Sequence, residues 1–209
     1  EQIAATRANW WAVNKPTLAD IEKCDVLCVV KRPDLATIKY AQQKGKIIVY
    51  DIVDSWSQPS DGLKYTCKEG AKKLFTEMWS EIKADGYIFP TWTMSKHLSS
   101  LLTNSTTIYH HYWPLIGRNP IREKVQKVGY EGGLYLGPWY DVIQKACNAN
   151  NIEFVINPQA YTDMDFVILA RGGDHGSFLS KNYKSNVKLA NAYGLCAAGM
   201  EYQGHCCKT

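Results

Sequence analysis

Short apolar runs of strand length recur along the chain, and between them lie stretches in which apolar residues return every three or four positions. The runs cover residues 25–30 (DVLCVV), 46–50 (KIIVY), 85–90 (DGYIFP), 106–110 (TTIYH), 125–130 (VQKVGY), 152–156 (IEFVI) and 165–170 (DFVILA). Their length and their content of Val, Ile, Tyr and Phe predict strands. The intervening stretches 33–44, 70–84, 93–102 and 138–150 carry the helical period, and Gly45 stands where the first of them should stop. Strands alternating with helices predict an α/β fold with parallel sheets, because neighbouring parallel strands need a crossover of about this length.

The segment 112–120 (YWPLIGRNP) breaks both periods with two prolines and a glycine, and the alternation restarts after it. This predicts two Rossmann-like units, 1–115 and 116–209, facing each other across a cleft. In such units ligands bind at the carboxyl ends of strands and at the interface. Several of the seven tryptophans fall just beyond predicted strands, where they can either line a pocket or fill a small core.

Composition narrows the partners. The net charge is only +4 in 209 residues and is shared evenly by the two halves, so nucleic acid is not expected as a partner. No apolar run approaches the roughly 18 residues that cross a membrane. Seven cysteines, five of them in apolar stretches (Cys24, Cys28, Cys67, Cys147 and Cys196), suggest reduced, buried thiols. With no leader-like segment at the start, the expected location is cytoplasmic. The oligomeric state is not readable.

Several groups carry candidate chemistry. The run 183–194 (YKSNVKLANAYG) follows a glycine-rich loop and predicts a helix whose first turns bring Lys184 and Lys188 to one face, beside the partial positive charge of a helix start. A pair of solvated lysines is the plain alternative. Gly132 and Gly133 lie between a predicted strand and a helix, where backbone N–H groups can reach a phosphate; an ordinary tight turn asks for glycine as well. Neither the dinucleotide fingerprint nor the P-loop spacing occurs.

Asp51 and Asp54 close the 46–50 strand at the end where catalysis is expected, or else serve as loop carboxylates accepting backbone N–H groups. His110 and His111 could reach a cleft as hydrogen-bond donors or a base, or be structural. Arg171 stands at a strand end beside Gly172 and Gly173, as an anion-binding guanidinium should. Asp163-Met164-Asp165 spells a metal-chelating D-x-D, but it precedes its strand and so lies at the wrong end of the sheet. No metal is expected.

Taken together, several segments resemble the GT-B glycosyltransferases, in particular the retaining bacterial and phage-type group that uses nucleotide sugars. The resemblance is carried by DVLCVVKRP (25–33), VYDIVD (49–54), ADGYIFPTWTMSKHL (84–98), VGYEG (128–132), and DFVILAR (165–171) followed by KSNVKLANAYG (184–194). It implies a short member of that group that moves a sugar from a nucleotide-sugar donor to a carbohydrate or other hydroxyl acceptor without a cofactor. It further implies that Arg171, Lys184 and Lys188 hold the diphosphate with the loop at Gly132 and Gly133. Glu201 would then hold the ribose, and Asp51, Asp54, His110 and His111 would serve the acceptor. A nucleotide-binding module of the same fold without catalysis, or another doubly wound nucleotide-sugar enzyme, are the alternative expectations.

Overall fold

A computed structural model describes residues 7–31, 34–53, 67–109, 122–132, 134–171, 182–183 and 198–203. It is an α/β structure with two four-stranded sheets, each parallel throughout. The first comprises β1 (Val26–Val30), β2 (Ile47–Asp51), β3 (Gly86–Phe89) and β4 (Ser105–Thr107), laid side by side in chain order. Its helices are α1 (Leu18–Lys23), α2 (Leu35–Gln43), α3 (Lys68–Ile82) and α4 (Trp92–Leu98).

When strand order follows chain order, right-handed crossovers carry every connecting helix to the same face of the sheet. The burial pattern shows this: Ile48, Tyr50, Tyr87 and Phe89 share one core with Ile21, Ile38, Phe75, Met94 and Leu98 from the four helices. The opposite face carries Val26, Val30 and Ile47, which remain 48%, 58% and 51% exposed although parallel sheets are usually covered on both sides. Cys28 lies on this face and is exposed, as is Cys67 at the start of α3, which corrects the expectation that both are buried; Cys24, Cys28, Cys67 and Cys147 are free thiols.

The second sheet comprises β5 (Lys127–Tyr130), β6 (Glu153–Ile156), β7 (Phe166–Arg171) and β8 (Ala198–Gln203), in the order β6-β5-β7-β8. A 3-10 segment, Leu134–Trp139, and α5 (Tyr140–Ala149) lead from β5 to β6. The chain therefore leaves β5 toward one edge and returns to its other side, which creates a topological switch point between β5 and β7.

Seven predicted strands and four predicted helices are present with shifted ends. The helix expected over 93–102 stops at Leu98, and the one expected from Pro138 begins only at Tyr140, because Pro138 and Trp139 belong to the 3-10 segment Leu134–Trp139. Among the described residues, one α-helix and one strand were not anticipated. One is α1, capped by Thr17 and Asp20 in reciprocal hydrogen bonds, and the other is β8. The segment 112–120 and the lysine helix over 184–194 lie outside the described residues. Tyr183, assigned by the sequence to the second unit, is wholly buried among residues of the first sheet's core, with its ring edge-on to Phe75 and His97 and its hydroxyl 3.1 Å from His97 Nδ1.

Candidate functional site

Ligand sites in open parallel sheets form in the crevice at a switch point, outside the carboxyl ends of the two strands that flank it. Here those strands are β5 and β7. Ile168 of β7 is level with Tyr130, the last residue of β5, and β7 runs on through Leu169, Ala170 and Arg171, paired with Glu201, Tyr202 and Gln203 of β8. The crevice is thus stepped, low over β5 and β6 and high over β7 and β8.

The turn after β5 is held from β6. Asn157 follows the last residue of β6 in the left-handed region, φ 49°, a conformation that Asn tolerates better than most residues. Its N–H donates to the Tyr130 carbonyl at 2.7 Å, and its Oδ1 accepts from the Gly132 N–H at 2.9 Å. A Cβ at Gly132 would lie 2.4 Å from the Tyr130 hydroxyl oxygen and 2.7 Å from Cζ, and Tyr130 is buried. Glycine is therefore required by the packing of Tyr130, and the N–H that the sequence offers to a phosphate is engaged by Asn157. Burial raises the Tyr130 phenol above its ordinary range.

Among the residues expected to bind, Gly132 and Arg171 are brought to the two sides of this crevice, Gly132 after β5 and Arg171 as the last residue of β7. Glu201 lies in β8 opposite Leu169, one residue above the level of Tyr130 and on the far side of β7. Gly133, Lys184 and Lys188 lie outside the described residues.

On the first sheet, Asp51 ends β2, as the pattern predicts. Its Oδ1 accepts from the Val53 N–H at 3.2 Å, and its carbonyl accepts from the Lys31 N–H at 2.9 Å. Val53 has φ 55°, where a β-branched side chain is strained by about 1–3 kcal/mol. Lys31, at φ 64°, is held through its carbonyl by the buried Tyr50 hydroxyl at 3.0 Å. Trp92 opens α4 at the same carboxyl edge, 60% exposed, with Lys96 Nζ 4.8 Å from its ring centre. Asp54, His110 and His111 lie outside the described residues.

Asp165 behaves as its position before a strand demands. It takes the Gln126 and Lys127 N–H groups at 2.7 and 2.9 Å and pairs with Arg122, at the amino end of the sheet. Burial pushes its carboxyl upward, but the two N–H groups and the guanidinium together hold it below the usual carboxylate range. Asp163 sits exposed in the 3-10 turn Tyr161–Asp163. Among the described residues no group of three or more His, Cys, Asp or Glu side chains could hold a metal ion, and no helix is long and apolar enough to cross a membrane.

Sequence reasoning missed Asn157. The signal available was an Asn-Pro pair directly after a strand-like run, which marks a turn but does not say what the amide will touch. Set against known proteins, the sequence matches no family model and no curated protein.

Proposed function

We propose that the protein binds a nucleotide sugar at the carboxyl edge of the β6-β5-β7-β8 sheet and transfers the sugar to a hydroxyl acceptor. The observation that carries this reading is the strand order, since the switch point falls between the turn bearing Gly132 and the strand ending in Arg171. The GT-B resemblance supplies the chemistry. Arg171, Lys184 and Lys188 would hold the diphosphate, stabilising the negative charge that develops on the leaving group as the glycosidic bond breaks. In this reading two Rossmann-like units face each other, and Asp51, Asp54, His110 and His111 present the acceptor from the first.

The test is a thermal-shift screen against uridine, guanosine, adenosine and thymidine diphosphates and their sugars, followed by measurement of nucleoside diphosphate release with hydroxyl acceptors. A ligand that binds only the native state raises its stability by mass action. Absence of a shift with every diphosphate, in a folded sample, would overturn the nucleotide site. A shift without turnover would leave a binding module. One observation favours that second reading: the first sheet, in the order β1-β2-β3-β4, has no switch point among its described strands and so offers the acceptor no crevice of its own.

A further inference from the structure

The turn after β5 and the end of β6 are joined through one side chain, Asn157. Its backbone N–H is spent on Tyr130 and its Oδ1 on Gly132, so both the residue and its amide plane are fixed relative to the crevice. The residue is nevertheless exposed, and its Nδ2 makes no hydrogen bond to the described residues. An amide anchored through its oxygen, with its nitrogen left at the surface, presents a directed donor at the carboxyl end of the strand beside the switch point.

We propose that Asn157 Nδ2 binds a ribose hydroxyl of the nucleotide, an inference that rests on the nucleotide reading of this site. In the dinucleotide-binding form of the doubly wound sheet the pyrophosphate occupies the turn after the first strand, and the ribose reaches the end of the second. Those strands are β5 and β6, and the residue directly after β6 is Asn157. The resemblance points instead to Glu201. Asn157 and Glu201 follow or belong to the outermost strands of the sheet, three strand spacings apart, about 14 Å at ~4.8 Å each, so one ribose cannot touch both. Asn157 adjoins the turn after β5 directly, whereas β7 stands between that turn and β8.

The ribose hydroxyls give the assignment a readout that a purely structural role would not move. Binding of uridine, guanosine and adenosine diphosphates to the full chain is compared with binding of the 2′-deoxy and 3′-deoxy form of each. The wild type should prefer a ribose form by roughly three- to tenfold over one of its deoxy forms, the range expected for one neutral hydrogen bond. Asn157→Ala should bring that ratio to about one. Asn157→Asp keeps an acceptor for the Gly132 N–H and can accept from a ribose hydroxyl, so it should keep the preference, although a nearby diphosphate lowers its absolute affinity.

An Asn157→Ala variant that binds ribose and deoxy forms equally weakly while the wild type discriminates supports the assignment. A variant that weakens both in proportion, keeping the ratio, reduces Asn157 to a loop anchor and overturns it. Loss of the ratio in Glu201→Gln but not in Asn157→Ala moves the ribose to β8 and overturns it too. A wild type that binds diphosphates without discriminating overturns the ribose contact and leaves the nucleotide site standing. A folded wild type that binds none overturns both.

Discussion

Asp85 and Asp165 stand in the same relation to their sheets. Each directly precedes a strand and donates its N–H to a carbonyl of the neighbouring strand, Ile48 at 2.9 Å and Lys127 at 3.0 Å. Each then turns its carboxylate back onto the N–H of that same residue, at 2.8 and 2.9 Å. The aspartate that looks like part of a metal-binding pair in the sequence is therefore a register pin, and its partner Arg122 reinforces it.

Asp165→Ala should destabilise the protein by about 2–3 kcal/mol, since it strands two backbone donors and a guanidinium. The carboxyl is held below its ordinary value in the folded state. Its contribution is thus full above the unfolded carboxylate value of about 3.9 and drains away as pH falls through the lowered folded value. Urea unfolding of both proteins at pH 7 and at decreasing pH below 4 checks this: the gap between wild type and variant should narrow in acid.

His97 should make the protein acid-sensitive in a higher range. Burial, and then the charges of Lys68, Lys72 and Lys96, lower its proton affinity below the ordinary value of 6.5. The unfolded chain therefore takes up the proton more readily, and the stabilisation is complete above about pH 6.5 and lost as pH falls through the folded value. His97→Gln should flatten stability between pH 7 and 5, as read by denaturant midpoints.

Tyr183→Ala should cost about 3–5 kcal/mol, because it empties a wholly buried aromatic site between Phe75 and His97. Tyr183→Phe keeps the ring and gives up the hydroxyl's contact with His97, about 1 kcal/mol. Thermal unfolding of both variants ranks them, and equal losses would contradict the packing role.

Gly132→Ala should destabilise by about 1–3 kcal/mol through overpacking against Tyr130, whose ring is buried and cannot swing aside freely. Tyr130→Leu in the same chain should recover part of that loss. A double-mutant cycle in urea measures the coupling, and additive losses would show that the glycine is needed for some other reason.

Arg171→Ala and Lys188→Ala should each weaken nucleoside diphosphate binding by about 1.5–3 kcal/mol, the range for a charge-assisted hydrogen bond. Titration calorimetry on the folded variants tests the proposal. Unchanged affinity removes the residue from the site.

Most of the sheet architecture was legible because VLCVV, IIVY and FVILA are apolar on both faces and cannot be amphipathic helices of useful length. β8 was not, since Ala198-Gly-Met-Glu-Tyr-Gln mixes small, polar and apolar residues and becomes a strand through its ladder with β7. α1 spans only six residues, too few to show a period, although Thr17 and Asp20 spelled a variant of the capping box. The strand ends were legible, which is how Gly132, Arg171 and Asp51 were placed at the carboxyl edges of their sheets. Asn157 was not, because its role depends on a turn 25 positions away in sequence. The strand orders, sequential in one sheet and switched in the other, leave no mark on local pattern at all.

Those two orders set different tasks for a folding chain. In the first sheet every strand pairs with the next one along the sequence, so each added unit docks on the edge that the one before has completed. The second must hold β5 unpaired on one side until β7 arrives. Pulsed hydrogen exchange during refolding should find the amides of Ile48 and Tyr50 protected before those of Val128 and Tyr130, so that the switch-point crevice is assembled after the first sheet.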